Sequence, residues 1–205
     1  MTTSPAELLV WTDVDPAHEA DFNRWYDREH MGERMAIPGF VAARRFVRVG
    51  PGRKYLALYK TESLAVFDSA PYRRAFDNQT QWSLENFRRM RDTVRAVGTI
   101  AEAGAGSGGF AGLVSFATDR VDAARSLLEK CVEADGLIAG HILVPDPRLS
   151  KPLPGAAAGA LTGSILILEG TGADAVTRAM REAAGALGAD PASAALFQLM
   201  WALSR

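Results

Sequence analysis

The segment NRWYDREHMGERMAIPGF, residues 23–40, holds more side chains capable of chemistry than any other stretch of the chain. His30 carries an imidazole that titrates near neutral pH, which suits proton transfer to or from an enolisable or phenolic substrate. Asp27 precedes it by three residues and Tyr26 by four, so on a helix both lie near it. The carboxylate could hold the ring, and the phenol could share its face. His30 as acid or base, Asp27 as its orienting partner and Tyr26 beside them form the candidate catalytic group. The competing reading is a partly exposed helix histidine bonded to a carboxylate for structural reasons. Trp25, Tyr26 and Trp11 could wall an aromatic ligand pocket, although aromatic side chains at helical spacing also serve as core. Arg34 and Arg44 could meet a carboxylate or phenolate, or could pair with Glu29 or Glu33. Arg45 follows Arg44, but strand alternation points the two to opposite faces, so at most one looks into a given cleft.

Other residue types point to less. His18 lies beside the start of the helix in an acidic surround and reads as solvated. His141 sits on a strand with no acidic or histidine neighbour in sequence and reads as structural. The three histidines show no metal-binding spacing, so no metal is expected. No cofactor motif emerges either: the chain lacks a dinucleotide or phosphate loop and a nucleophile elbow. Haem held by a single histidine stands as an alternative without a supporting motif. The only cysteine, Cys131, falls in the helical pattern LLEKCVEA and reads as packing.

The elements that must position these residues follow from periodicity and punctuation. Glu7 to Asp13 is a strand. Asp15 caps a helix running from Pro16, at its first position, to Ala36, and Pro38-Gly39 breaks it. Gly39 to Val49 is a long strand with Phe40, Ala42, Arg44, Phe46 and Arg48 on one face. Gly50-Pro51-Gly52 turns it into a returning strand from Lys54 to Thr61. A short helix capped by Ser63 ends at Pro71, a second helix spans Gln81 to Asp92, and Thr93 to Ala103 is a fourth strand. The order is strand, helix, strand, strand, helix, strand, a split βαβ or ferredoxin-like unit. After the flexible joint GAGSGG, residues 104–109, the same order repeats. Strands at Phe110–Thr118, Leu137–Val144, Leu161–Glu169 and Ala194–Leu203 alternate with helices at Val121–Ala134 and Asp174–Leu187. The Pro/Gly-rich loop 145–160 replaces the tight turn of the first half and is expected to be mobile.

Four strands, LLVW, FAGLVSF, GSILIL and AALFQLMWAL, are apolar on both faces. A sheet covered by helices on one side would leave its other apolar face in water, and two such sheets facing each other bury it. The expectation is an α+β chain of two tandem ferredoxin-like halves, 1–104 and 109–205, packed sheet to sheet as an intrachain dimeric α/β barrel. The first half resembles the dimeric α/β-barrel superfamily, and NRWYDREHMGERMAIPGF resembles the first helix and second strand of its EthD-like members. The second half is similar by element order alone. The superfamily includes cofactor-free monooxygenases, lactone isomerases, polyketide cyclases, haem enzymes and proteins without known activity. The resemblance implies a ligand cleft between the first helix and the strands beneath it. The second-half helix VDAARSLLEKCVEADG lacks counterparts of Trp25, Tyr26 and His30, so the second half reads as a closing partner.

Bulk properties narrow the function. A net charge of −1 argues against a nucleic-acid partner. No apolar run approaches the ~20 residues of a membrane helix, so no membrane partner is expected. The start, MTTSPAELLVW, does not read as a signal peptide, and a single cysteine fits a cytoplasmic setting. A homodimer of such pseudo-dimers is compatible with this architecture. Two readings from different classes follow. The first is a small-molecule-binding protein, acting without a cofactor as an isomerase, cyclase or monooxygenase on an aromatic or carbonyl metabolite. The second is a non-catalytic accessory or assembly module.

Overall fold

A computed structural model describes residues 4–151 and 163–205. The first strand, β1 (Ala6–Val14), leads through Pro16–His18 into α1 (Glu19–Trp25), a π-helical turn (Tyr26–His30) and α2 (Met31–Ala36). Asp15 Oδ1 accepts from Ala17 N at 3.0 Å and caps the entry. Strands β2 (Phe40–Val49) and β3 (Tyr55–Thr61) form the hairpin, and Gly50 and Gly52 take φ of 99° and 107° to turn it. After Leu64–Asp68 come α3 (Ala70–Asp77), α4 (Gln81–Arg89) and β4 (Met90–Gly104). The second part runs β5 (Phe110–Phe116), α5 (Val121–Cys131), β6 (Leu137–Pro145), β7 (Ser164–Gly170), α6 (Ala173–Leu187) and β8 (Ala195–Ser204).

The eight strands close into one barrel in the order β1-β3-β2-β8-β5-β7-β6-β4, and every neighbouring pair is antiparallel. Each half of the chain contributes four adjacent strands, and the pairs β2–β8 and β4–β6 join the two groups. Leu9, Phe46, Leu58, Leu113, Ile167 and Phe197 fill the lumen. Fully burying one such side chain contributes roughly 1.5–3 kcal/mol. The apolar sheet faces that the sequence left without cover therefore meet inside the barrel. Helices cover the outer faces, giving one helix–sheet layer around Trp25 and Phe40 and another around Leu128 and Met180.

Three local expectations change. Pro71 opens α3 rather than ending a helix, because its missing N–H is harmless in a first turn, where Ser69 Oγ accepts from Tyr72 N at 3.2 Å. The register of β2 shifts between Phe40 and Ala42, so Phe40 packs on the helix side with Ala43 instead of sharing a face with Arg44. Of the loop 145–160, residues 152–160 lie outside the described residues, as does Leu161. Its described part is tied down rather than free. Asp146 N bonds Val97 O at 2.8 Å, Ser150 Oγ bonds Val97 N at 3.0 Å, and Arg148 grips Asp68.

Candidate functional site

The helical arm carries its chemistry at the π turn. Met31 N–H reaches back to Tyr26 O, five residues earlier. On a regular α-helix, residues five apart face different ways. The wider turn instead brings His30 against Trp25, with ring centroids 4.2 Å apart, and 5.1 Å from Tyr26. Single π turns of this kind are frequent at functional sites. The start of α4 locks the arm in place. Trp25 Nε1 donates to Ser83 Oγ at 3.0 Å, and the hydroxyls of Thr80 and Ser83 donate to Glu29 Oε1 at 2.6 and 3.1 Å.

Beneath the arm, His30, Tyr26, Arg34, Tyr59, Tyr72 and Arg95 border a hollow of about 40 Å³. Its remaining walls are apolar, including Leu8, Val10 and Phe87. Two buried polar atoms there, His30 Nδ1 and Arg34 Nε, have no hydrogen-bond partner among the described residues, and the Tyr59 phenol has only that of Tyr26 beside it. Leaving such an atom unpaired costs about 1–3 kcal/mol, so two around one hollow call for a physical account. Burial, reinforced by the Arg34 and Arg45 guanidiniums, holds the His30 imidazole well below its ordinary range, so it is neutral at pH 7. Burial raises the Tyr59 phenol well above its ordinary value and raises that of Tyr26 as well, so both keep their protons. The hollow thus presents a neutral imidazole, three phenols and two guanidiniums.

The structure brings some expected site residues together and separates others. His30, Tyr26 and Arg34 border the hollow, and Trp25 packs on the His30 ring. Asp27 does not hold that ring. Its Oδ1 accepts from Arg45 Nη1 at 3.2 Å and from Trp201 Nε1 at 2.9 Å, at the open side of the arm. Trp11 points into the barrel, edge-on to Phe197 at 5.8 Å, with Nε1 bonded to Arg53 O. Arg44 also turns inward, where Nη1 meets Glu169. Alternation along β1 and β2 accounts for both, since Trp11 and Arg44 share parity with Leu9 and Phe46.

Arg45 takes the place expected for Arg44. It is 1% exposed, stacks 4.2 Å over Tyr26 and donates to Asn23 Oδ1 at 2.5 Å. Tyr59 was missed, although period-two spacing places Tyr55, Ala57 and Tyr59 on the helix side of β3. No sequence signal marked Tyr72 or Arg95, which reach the hollow only through the packing of α3 and β4. Arg95 Nη1 also bonds Leu149 O, and its Nη2 reaches Tyr72 Oη at 3.1 Å. A side chain that borders the hollow therefore also holds the strap that follows β6. His141 has no acidic neighbour in sequence, but its Nε2 lies 2.9 Å from Glu7 Oε1 inside the barrel.

No protein-family model matches the chain, and no curated protein matches it by sequence. Solved structures do match it by shape. An anthrone oxidase-like protein superposes with a TM-score of 0.65 at 10% identity, over 98% of this chain and 93% of that one. A candidate monooxygenase from Fusobacterium nucleatum subsp. nucleatum gives 0.59 at 8% identity, over 100% and 96%. A novel heme-binding protein from Thermus thermophilus gives 0.54 at 9% identity, over 97% and 92%. Likeness at such identities establishes the fold alone, a closed eight-stranded antiparallel α+β barrel.

Proposed function

We propose that the chain binds a small carbonyl- or phenol-bearing metabolite in the hollow between the helical arm and the outer face of the sheet. The observation that carries this reading is that His30 and Arg34, whose Nδ1 and Nε are buried and unpartnered, border one space together with the Tyr26 and Tyr59 phenols. A ligand oxygen would satisfy these atoms. Phenol and guanidinium donors favour an oxygen that carries or develops negative charge. The desolvated imidazole is a weak base, which limits it to acidic protons such as those of phenols and enolisable dicarbonyls. In this reading His30 accepts such a proton, Tyr26, Tyr59 and Arg34 stabilise the resulting oxyanion, and Trp25 backs the ring. The reaction is cofactor-free: isomerisation, cyclisation or oxygenation of the activated anion. Asp27, Trp11 and Arg44 have no part in it.

Thermal shifts of the wild type, His30→Ala and Tyr59→Phe across a panel of phenols and 1,3-diketones test this. Ligands that shift only the wild type support the site. Identical profiles for all three proteins remove it.

One observation favours the second reading, a non-catalytic accessory or assembly module. At about 40 Å³ the hollow takes a few waters, whereas small-molecule pockets usually run to ~300 Å³ or more. Binding of an aromatic ring therefore requires the rim to move, and half-exposed Phe76 and the strap held by Arg95 are the parts able to do so. A panel without a single hit decides for the accessory module.

Haem does not fit. The space beside His30 is far too small, Trp25 stacks on that ring, and Nε2 of His141 is taken by Glu7. We read the chain further as two ferredoxin-like halves, 1–104 and 109–205, of EthD-like type. The corresponding strand orders β4-β1-β3-β2 and β8-β5-β7-β6 support that division. A cytoplasmic setting rests on the lone cysteine, and further pairing into a homodimer belongs to the same reading. No helix of the described residues is long and apolar enough to cross a membrane.

A further inference from the structure

The barrel lumen is apolar at mid-length, with Arg48 and Arg53 over Trp11 towards one end and a second charged cluster at the other. Alternation from the lumen residues Leu9, Phe46, Leu58, Ile100, Leu143 and Ile167 places Glu7, Arg44, Lys60, Glu102, His141 and Glu169 on the same inner face, near that end. Glu7 and His141, 1% and 3% exposed, pair deepest. Arg44 Nη1 reaches both oxygens of Glu169 at 2.6 Å, and Glu169 Oε2 also accepts from Gly108 N at 3.0 Å. At the rim, Lys60 Nζ donates to both oxygens of Glu102 at 2.7 Å. Beside these groups lies a cavity of about 340 Å³, lined on one side by residues 103–107.

Holding the halves together does not account for this arrangement. Two of the pairs do cross between the halves, Glu7–His141 and Arg44–Glu169. Buried ion pairs, however, contribute little net stability, and apolar residues of similar volume usually serve as well or better. A lumen built only to fold would also be filled, as it is around Phe46 and Phe197. The open space is instead of ligand size. Arg44 bonds through Nη1 alone among the described residues, leaving the rest of its fork for another partner.

We infer that the end of the lumen beside this cavity is a second binding site, for a small zwitterion carrying both a carboxylate and an ammonium group. Two carboxylates, Glu102 and Glu169, face the two permanent cations Arg44 and Lys60 across the cavity, with His141 beside them, so the walls are close to charge balance. A simple anion would meet Glu102 and Glu169, and a simple cation would meet Arg44 and Lys60. A zwitterion finds partners for both ends without upsetting the balance. Its carboxylate meets the free N–H groups of Arg44 and the Lys60 ammonium, and its ammonium meets Glu102 and Glu169. This site is independent of the hollow at His30 and of the function proposed there.

Glycine, β-alanine and 4-aminobutyrate, which set the two charges at increasing separation, are titrated into the full chain at low ionic strength. Amide NMR shifts and melting temperature are followed, with acetate and methylammonium as controls. At least one zwitterion should give saturable shifts of the amides of residues 103–107 and His141, and the single-charge controls should not. Lys60→Gln/Glu102→Gln, which removes a half-exposed rim pair and keeps the net charge, should weaken binding roughly tenfold. His30→Ala should leave it unchanged. The proposal is overturned if no zwitterion perturbs these amides, if acetate or methylammonium acts equally, or if the folded rim variant binds as the wild type does.

Discussion

The two helix–sheet layers of the barrel solve one packing problem differently. In the second half, α5 and α6 cover the sheet with Leu128, Cys131, Val176, Met180 and Leu187 against Val114, Phe116 and Leu166. In the first half, the corresponding layer buries His30, Arg34 and Arg45 among Trp25, Tyr26 and Tyr59. Both layers close the same barrel, so the architecture itself does not require buried polar groups. Those of the first half carry a free-energy cost that the second half shows to be avoidable. That contrast makes the first layer the place to look for a ligand.

The largest effect that sharpens the comparison comes from truncating each layer in turn. In urea unfolding Trp25→Ala should cost about 3–5 kcal/mol and Leu128→Ala about 2–5 kcal/mol. Only the first should also abolish ligand-induced thermal shifts, and equal loss in both variants would erase the distinction between layers. Next in size is His30→Leu, which makes the first layer more like the second. Removing an unpartnered buried polar atom should raise stability by about 1–2 kcal/mol while eliminating the ligand response. A destabilised His30→Leu protein would show instead that the imidazole is satisfied in the fold.

The pH dependence follows from the same desolvation. The His30 value is lowered on folding, so the unfolded chain takes up its proton first as pH falls below 6.5. Stability contributed by the neutral ring is therefore complete above that value and lost below it, at up to about 1.4 kcal/mol per pH unit. Comparing unfolding free energies of wild type and His30→Leu between pH 7 and roughly pH 5 isolates this slope from that of the other groups. Parallel curves would mean that His30 titrates alike in both states. The smallest effect belongs to Asp27→Asn. Because Asp27 faces Arg45 and Trp201, ligand response and pH dependence should stay within about twofold of wild type.

The barrel was legible because strands apolar on both faces, such as LLVW and GSILIL, demand cover from each side. Much of the hollow was legible too, since helical spacing alone draws Tyr26, His30 and Arg34 together. What failed was spacing taken without local irregularity. The π turn at Tyr26–His30 pushes the histidine under Trp25 and away from Asp27, and nothing in the residue types announces it. Arg44 and Arg45 were correctly placed on opposite faces, but which face meets the arm depends on how the strand is set in the barrel. Tyr72, Arg95 and the Glu7–His141 pair join elements distant in sequence, where no local pattern operates.

The proposed function requires His30 to be a desolvated, unpartnered imidazole at a ligand-accessible hollow. Side-chain ¹⁵N NMR of the three histidines tests this most directly, with the signal assigned by His30→Ala and exposed His18 as the solvent reference. His30 should remain neutral well below pH 6.5 and shift when phenol is added, while His18 does not respond to phenol. A His30 that titrates at 6.5 and ignores phenol contradicts the account.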